Sequence, residues 1–244
     1  DLASGALNRM ARDVRLAVPN TLRTPNGQTV ELLAIHEAGR YRANLAGSTV
    51  RHDPPRCPPS PQTCEIDVLS PGMTAARVAD ARWMVLYNIG MNTAGDSVWP
   101  PFNSSNAATP AVVTPNGVGF AFNAGVMTLS GAAASGFRFK FASPQRRFYL
   151  AREVLGYHCD NPGTDATTGH GTGVIRRASF TSLASSYTYG AGNSSLLVDS
   201  VSRCTFTYEP GTNTRGALLT LRLGVKRQGE EIMLMQQVHV DNAP

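Results

Sequence analysis

No stretch of this 244-residue chain approaches the roughly 20 consecutive apolar residues that cross a bilayer as a helix. A membrane anchor, if the protein has one, is therefore expected upstream of Asp1. Lysine is scarce, so arginine carries nearly all of the positive charge behind a formal net charge of +5 and a pI near 9.3. Basic runs never exceed a pair (Arg146-Arg147, Arg176-Arg177, Lys226-Arg227). Charge scattered in this way reads as a solvated surface, whereas a nucleic-acid footprint needs clustering on one face. Catalytic signatures are missing as well: there is no G-x-S-x-G elbow, no P-loop, no strand-linked G-x-G-x-x-G and no H-E-x-x-H. An enzyme is not excluded, because active sites assemble from distant residues, but nothing here supports one. Hydrophobic residues at 42% argue against disorder of the whole chain. The length suffices for one large β-rich domain or two small ones.

Histidines are equally unpromising as chemistry. His36, His52, His158, His170 and His239 lie far apart, and none pairs with another at ligand spacing. His36 and His239 fall within expected strands, where a hydrogen-bonded sheet histidine is the ordinary case. His52 and His170 fall in loops, where exposure is ordinary. Asp160, Asn161 and Asp165 crowd oxygen donors in one loop, yet without the spacing of an EF-hand calcium loop. No cofactor or metal is expected. Asn103-Ser104-Ser105 and Asn193-Ser194-Ser195 match the glycosylation triplet, a match that carries little weight outside a eukaryotic secretory route.

Four cysteines allow three pairings. Cys57 and Cys64 share the proline-dense loop RHDPPRCPPSPQTC, while Cys159 and Cys204 sit in strand-like segments. Bridges 57–64 and 159–204 are expected, one local and one tying two strand regions. Loop-closure entropy assigns them roughly 2.5 and about 4 kcal/mol. Zinc, with His52 and His158 as further ligands, is the competing reading. The six-residue gap between Cys57 and Cys64 does not fit the C-x₂₋₄-C of structural zinc sites. Disulfides imply an oxidising compartment.

What the chain does have is a clear start. In DLASGALNRMARDVRLAVPN, Ala3, Leu7, Met10, Val14 and Ala17 recur at intervals of four, three, four and three. They line one helical face, with Arg9, Arg12, Asp13 and Arg15 off that stripe. Pro19 and Asn20 then stop the helix, which sets a first segment of residues 1–18. Opening mid-helix, the chain reads as a piece of something longer. The competing reading is an ordinary N-terminal helix left after removal of a signal peptide.

Beyond residue 18 the pattern is β-rich, and residues 19–244 are expected to form one head. Val30–Ile35, Arg82–Ile89, Phe148–Leu155, Cys204–Tyr208, Leu219–Val225 and Ile232–Val240 read as strands by apolar runs or alternation. Gly229 suits the turn before the last of these. Residues 44–63, 91–117 and 160–173 read as long loops. No internal repeat and no composition shift marks a linker.

The phrase RMARDVRLAVPNTLR, within Leu7–Asn20 and the residues after it, resembles the stretch that follows the transmembrane half of a type IV pilin-like helix. It is most similar to minor pilins of the mannose-sensitive haemagglutinin pilus, the MshO type. Val85-Leu86-Tyr87-Asn88, Phe148-Tyr149-Leu150 ahead of Tyr157-His158-Cys159, and Cys204-Thr205-Phe206-Thr207-Tyr208 resemble strands of that type. The closing Gln237-Val238-His239-Val240-Asp241-Asn242-Ala243-Pro244 resembles its ending. The likeness spans both ends and points between. It leaves out Cys57–Cys64 and residues 91–117.

The resemblance implies an α+β, pilin-like fold in which the helix packs on antiparallel sheet. It implies a leader cut by a prepilin peptidase and an N-methylated hydrophobic helix, whose glutamate near the mature N-terminus lies upstream of Asp1. The protein would then sit at the periplasmic face of the inner membrane before joining an extracellular pilus, at its tip. A relation to the J-type pseudopilin of type II secretion is implied too. The expected function is non-catalytic: initiating pilus assembly with other minor pilins and the major pilin subunits, and contributing to adhesion. Residues 51–63 would offer a stiff, preordered surface, unless the staple serves only to resist proteolysis. Two rivals remain, a DNA-binding minor pilin for uptake and a free periplasmic or secreted β-rich enzyme. Steep salt dependence of DNA binding would mark the first. Convergence of His158, His170 and a carboxylate in one pocket would mark the second.

Overall fold

The structure is a computed structural model that describes residues 2–43, 52–59, 63–103, 109–211 and 216–243. Asp1, residues 44–51, part of the proline-dense loop (60–62), the serines of the Asn103 triplet and Pro244 lie outside the described residues, and with them parts of the expectations above. In chain order the elements are α1 (Leu2–Arg15), β1 (Thr29–Arg40), β2 (Thr63–Asp67), α2 (Ala75–Ala79), β3 (Trp83–Val85), β4 (Gly119–Asn123) and β5 (Val126–Ser130). The rest are β6 (Arg147–Asp160), β7 (Gly173–Phe180), β8 (Ser194–Glu209), β9 (Ala217–Arg227) and β10 (Glu230–Val240). With 45% strand and 10% helix, the chain is α+β.

Two compact units divide these elements, and both are discontinuous in sequence, so no linker could have marked them. The first comprises residues up to Ala34, Val154–Phe180 and Ser186–Ala243; the second comprises Ile35–Glu153 with Thr181–Ser185. Strands β1 and β6 contribute one half to each.

In the first unit the strand order is β1-β6-β7-β8-β9-β10, and successive pairs from β6 to β10 are antiparallel. Alternation turns Leu155, Tyr157 and Cys159 of β6, Cys204 and Phe206 of β8, and Leu219, Leu221 and Leu223 of β9 to one face. On that face lies α1, packed chiefly against β10. Its buried side chains are Ala6, Leu7, Met10, Ala11 and Val14. At about 25 cal/mol per Å² of apolar area, such a face contributes several kcal/mol. Arg12 and Arg15 in the last turn also suit the negative end of the helix dipole.

The helix ends at Arg15, short of the expected residue 18. Leu16 and Ala17 close it with tight bonds to the carbonyls of Asp13 and Val14. Val18, the residue before Pro19, is steered out of the helical region. Its N–H goes instead to Leu33 of β1 at 2.8 Å. Ala17 is thus buried beyond the helix, in a bridge to Ala34. Asn20 takes φ of 59°, a left-handed turn that Asn tolerates. Its backbone N–H donates to Asn242 Oδ1 and its side chain to the Asn242 carbonyl, both at 3.1 Å. The segment after the helix is thereby clasped by the segment after β10.

The second unit holds the three-stranded sheet β2-β5-β4 and strand β3 paired with β6. Its core gathers Tyr41, Ile66, Met73, Val78, Met84, Leu86, Met127, Leu129, Phe137, Phe139, Phe148 and Leu150. Thr74 caps α2 through its side-chain oxygen. The expected strand 82–89 shortens to Trp83–Val85, because the backbone turns left-handed at Tyr87 (φ 48°). Strand β6 runs further than Phe148–Leu155, on through Asp160. Within the expected loop 91–117, Asp96, Ser97, Val98 and Trp99 are buried and Val113 bridges Val85. Lys140 Nζ anchors that loop, 2.7 Å from Asp96 Oδ1 and 2.7 Å from the Ala94 carbonyl.

Candidate functional site

The face of α1 named from the sequence is brought together on one core. Leu7, Met10, Val14 and Ala17 are buried in it and Ala3 lies half-buried at its margin. The rest of the helix surface, with Ser4, Asn8, Arg9, Arg12 and Arg15, is exposed. Periodicity missed Ala6 and Ala11, which are buried with that face, and the polar member of the interface, Asp13. Asp13 accepts from Tyr157 OH at 2.5 Å and from the Arg177 guanidinium at 3.2 and 3.3 Å. Burial, reinforced by this carboxylate, holds the Tyr157 hydroxyl well above its ordinary pKa. A polar lock therefore fixes the position of α1 along β6 and β7, which apolar contact alone leaves free to slide. Asp13→Ala removes the acceptor of the buried Tyr157 hydroxyl and of the half-buried Arg177 guanidinium and should cost about 2 kcal/mol in urea unfolding. Asp13→Asn, whose amide oxygen still accepts from Tyr157, should cost less.

On the opposite face of the same unit, the segment after β7 returns over β1 and β6. Tyr189 stacks on His158, with ring centroids 5.0 Å apart, and donates to Glu31 Oε1 at 3.0 Å. Gly156 makes room for it: a Cβ there would stand 2.1 Å from Tyr189 OH. Glu31, itself buried, also pairs with Arg23 at 2.6 Å. Phe180 stacks on Tyr187, and Arg23 lies over the Tyr187 ring. His158 shares a hydrogen bond with Thr29 Oγ1 at 2.9 Å, and burial pulls its pKa down against the pull of Asp160 and Glu31. The Tyr189–Glu31 hydrogen bond and the stacking of Tyr189 on His158 hold the returning segment on the sheet.

The remaining histidines have separate surroundings. His170 sits in a tight turn where Asp165 accepts the N–H groups of Thr167 and Thr168, both at 2.8 Å. Those bonds depress the Asp165 pKa, Thr168 first. His36 lies on the second unit's part of β1, His52 is half-buried beside Asp53, and His239 is exposed on β10. His158 and His170 are thus held by different partners. Among the described residues no three His, Cys, Asp or Glu side chains are placed to hold a metal ion.

Both expected disulfides are present, Cys57–Cys64 and Cys159–Cys204, and no cysteine is left for zinc. The second joins β6 to β8, strands that β7 separates in the sheet. In the second unit, Cys57 N–H donates to the Phe137 carbonyl, and Phe139 and Gly136 N–H groups donate to Pro55 and Pro58. The described part of the proline-dense loop is therefore strapped to residues 136–139, and both of its cysteines are buried. Nearby, Asp53 binds Tyr41 OH and Arg146.

Among the arginines, Arg23, Arg77, Arg146, Arg177 and Arg227 each face a carboxylate. Among the described residues a cavity of about 380 Å³ opens in each unit. One is polar, beside Asp80, Arg82, Arg152 and Glu153. The other is apolar, between the start of α1 and Val198, Val225, Ile232 and Leu234. Comparison of the chain with protein-family models, with curated proteins and with solved structures finds no match.

Proposed function

We propose that this chain is the head of a type IV pilin-like minor subunit, of the kind the sequence resembles, and that it acts by docking, without chemistry. The observation that carries this reading is α1: one face buried on antiparallel sheet, the other exposed along its length. A helix so divided holds its own head while offering polar and basic side chains to neighbouring subunits. Two disulfides suit an oxidising periplasm or cell surface. In this reading the protein is held in the inner membrane by a hydrophobic helix preceding α1. It then joins other minor pilins and the major pilin at the pilus tip, where it contributes to initiation and to adhesion.

Intact mass and N-terminal sequencing of the native protein from its cell envelope test this. A methylated N-terminal residue followed by ~20 or more apolar residues ahead of Asp1 is the expected result. A mature chain that starts close to Asp1 overturns it.

A further inference from the structure

Strand β10 is paired on one side only. From Glu230 opposite Arg227 to Val240 opposite Ala217 it runs along β9 without a shift in register. Among the described residues no strand pairs with its other side. Sheet edges are ordinarily blunted by lysine, proline or a bulge, because a bare edge recruits another strand. The sequence EEIMLMQQVHV has none of these. Its first half is apolar on both faces: Ile232, Met233 and Met235 are 66%, 54% and 61% exposed. Ile232 and Leu234 border the apolar cavity beside α1. Met233 lies over Gly224 on the other face, where a Cβ would stand 2.7 Å from its sulfur.

The charges of the strand say which occupant suits it. Both carboxylates, Glu230 and Glu231, are at one end, and His239 is the only basic group. A parallel copy would set the carboxylates side by side. An antiparallel copy carries them to opposite ends. With Leu234 across Leu234 of the second copy, Met233 meets Met235, Ile232 meets Gln236, and Glu231 meets Gln237, whose amide can donate to it. Centring on Gln236 would set Glu231 against Asp241 and lose the apolar match. We propose that β10 pairs antiparallel with β10 of a second copy about a two-fold axis at Leu234, continuing the sheet across both chains. The contact is self-complementary, as a two-fold interface must be, and it rests on backbone bonds with side chains adding selectivity.

Sedimentation velocity of the full chain over a concentration series tests the association, and a single introduced cysteine tests the register. All native cysteines are in disulfides, so Leu234→Cys adds the one free thiol. Cα atoms of directly opposed antiparallel residues lie about 4.5–5.5 Å apart, within disulfide reach. Two Gln237→Cys thiols would instead be about 20 Å apart. Expected are a mass rising from one chain toward two, cross-linking at 234 and not at 237, and about tenfold weaker association in Ile232→Lys and Met233→Lys. Unchanged melting of those variants shows that they fold. A chain that stays monomeric at its highest soluble concentration overturns the proposal. So does a dimer that neither lysine weakens, or cross-linking that is equal at the two sites.

Discussion

Met10→Asp is expected to abolish the folded first unit. Met10 is fully buried in the apolar cluster that also holds Leu7 and Val14. The substitution removes the transfer energy of the methionine side chain, about 2 kcal/mol, and buries an unpaired acid that costs several more. A total near 5 kcal/mol rivals the whole stability of an ordinary domain. Val14→Asp should act alike, while Asn8→Asp on the exposed face should do little. Thermal melting and near-ultraviolet circular dichroism report the difference. A Met10→Asp protein that melts like the native one would show that α1 is not held on the sheet.

Replacing both Cys159 and Cys204 by serine is expected to lower stability by about 4 kcal/mol, read as a drop in urea midpoint. The bridge closes 45 residues, and the entropy it removes from the unfolded chain grows with the logarithm of that span. The same replacement at Cys57 and Cys64, which close only 7, should cost about 2.5 kcal/mol. Equal effects at the two pairs would refute the loop-length account. The larger bridge also crosses over β7, so its loss frees two strands that share no backbone bond.

The sequence exposes these features unevenly, for physical reasons. The face of α1 is readable because a helix repeats every 3.6 residues, and β8, β9 and β10 because one face of each is wet. Strands β4 and β5 escape notice: they join through Ala124 and Gly125, both left-handed, and alanine at positive φ (47°) sends no turn signal. The end of α1 is misjudged by three residues because the decisive partner, Leu33, lies outside the helical pattern. Asp13 reads as a surface charge since its partners, Tyr157 and Arg177, are 144 and 164 residues away. The pairing of the cysteines is legible, through one short spacing and one matched pair of strands. The returning segment with Tyr187 and Tyr189 is not, because its aromatics meet His158 and Glu31 only in three dimensions.

The clasp between Asn20 and Asn242 also sets a timetable. Its two halves are 222 residues apart, and the strand beneath most of α1 is β10. A chain made from its amino end therefore releases the helix long before the surface that covers it exists. Through most of synthesis, Leu7, Met10 and Val14 stand uncovered. During that interval the helix is open to chaperones and to proteases. Closure of the fold ends the interval at a single late step.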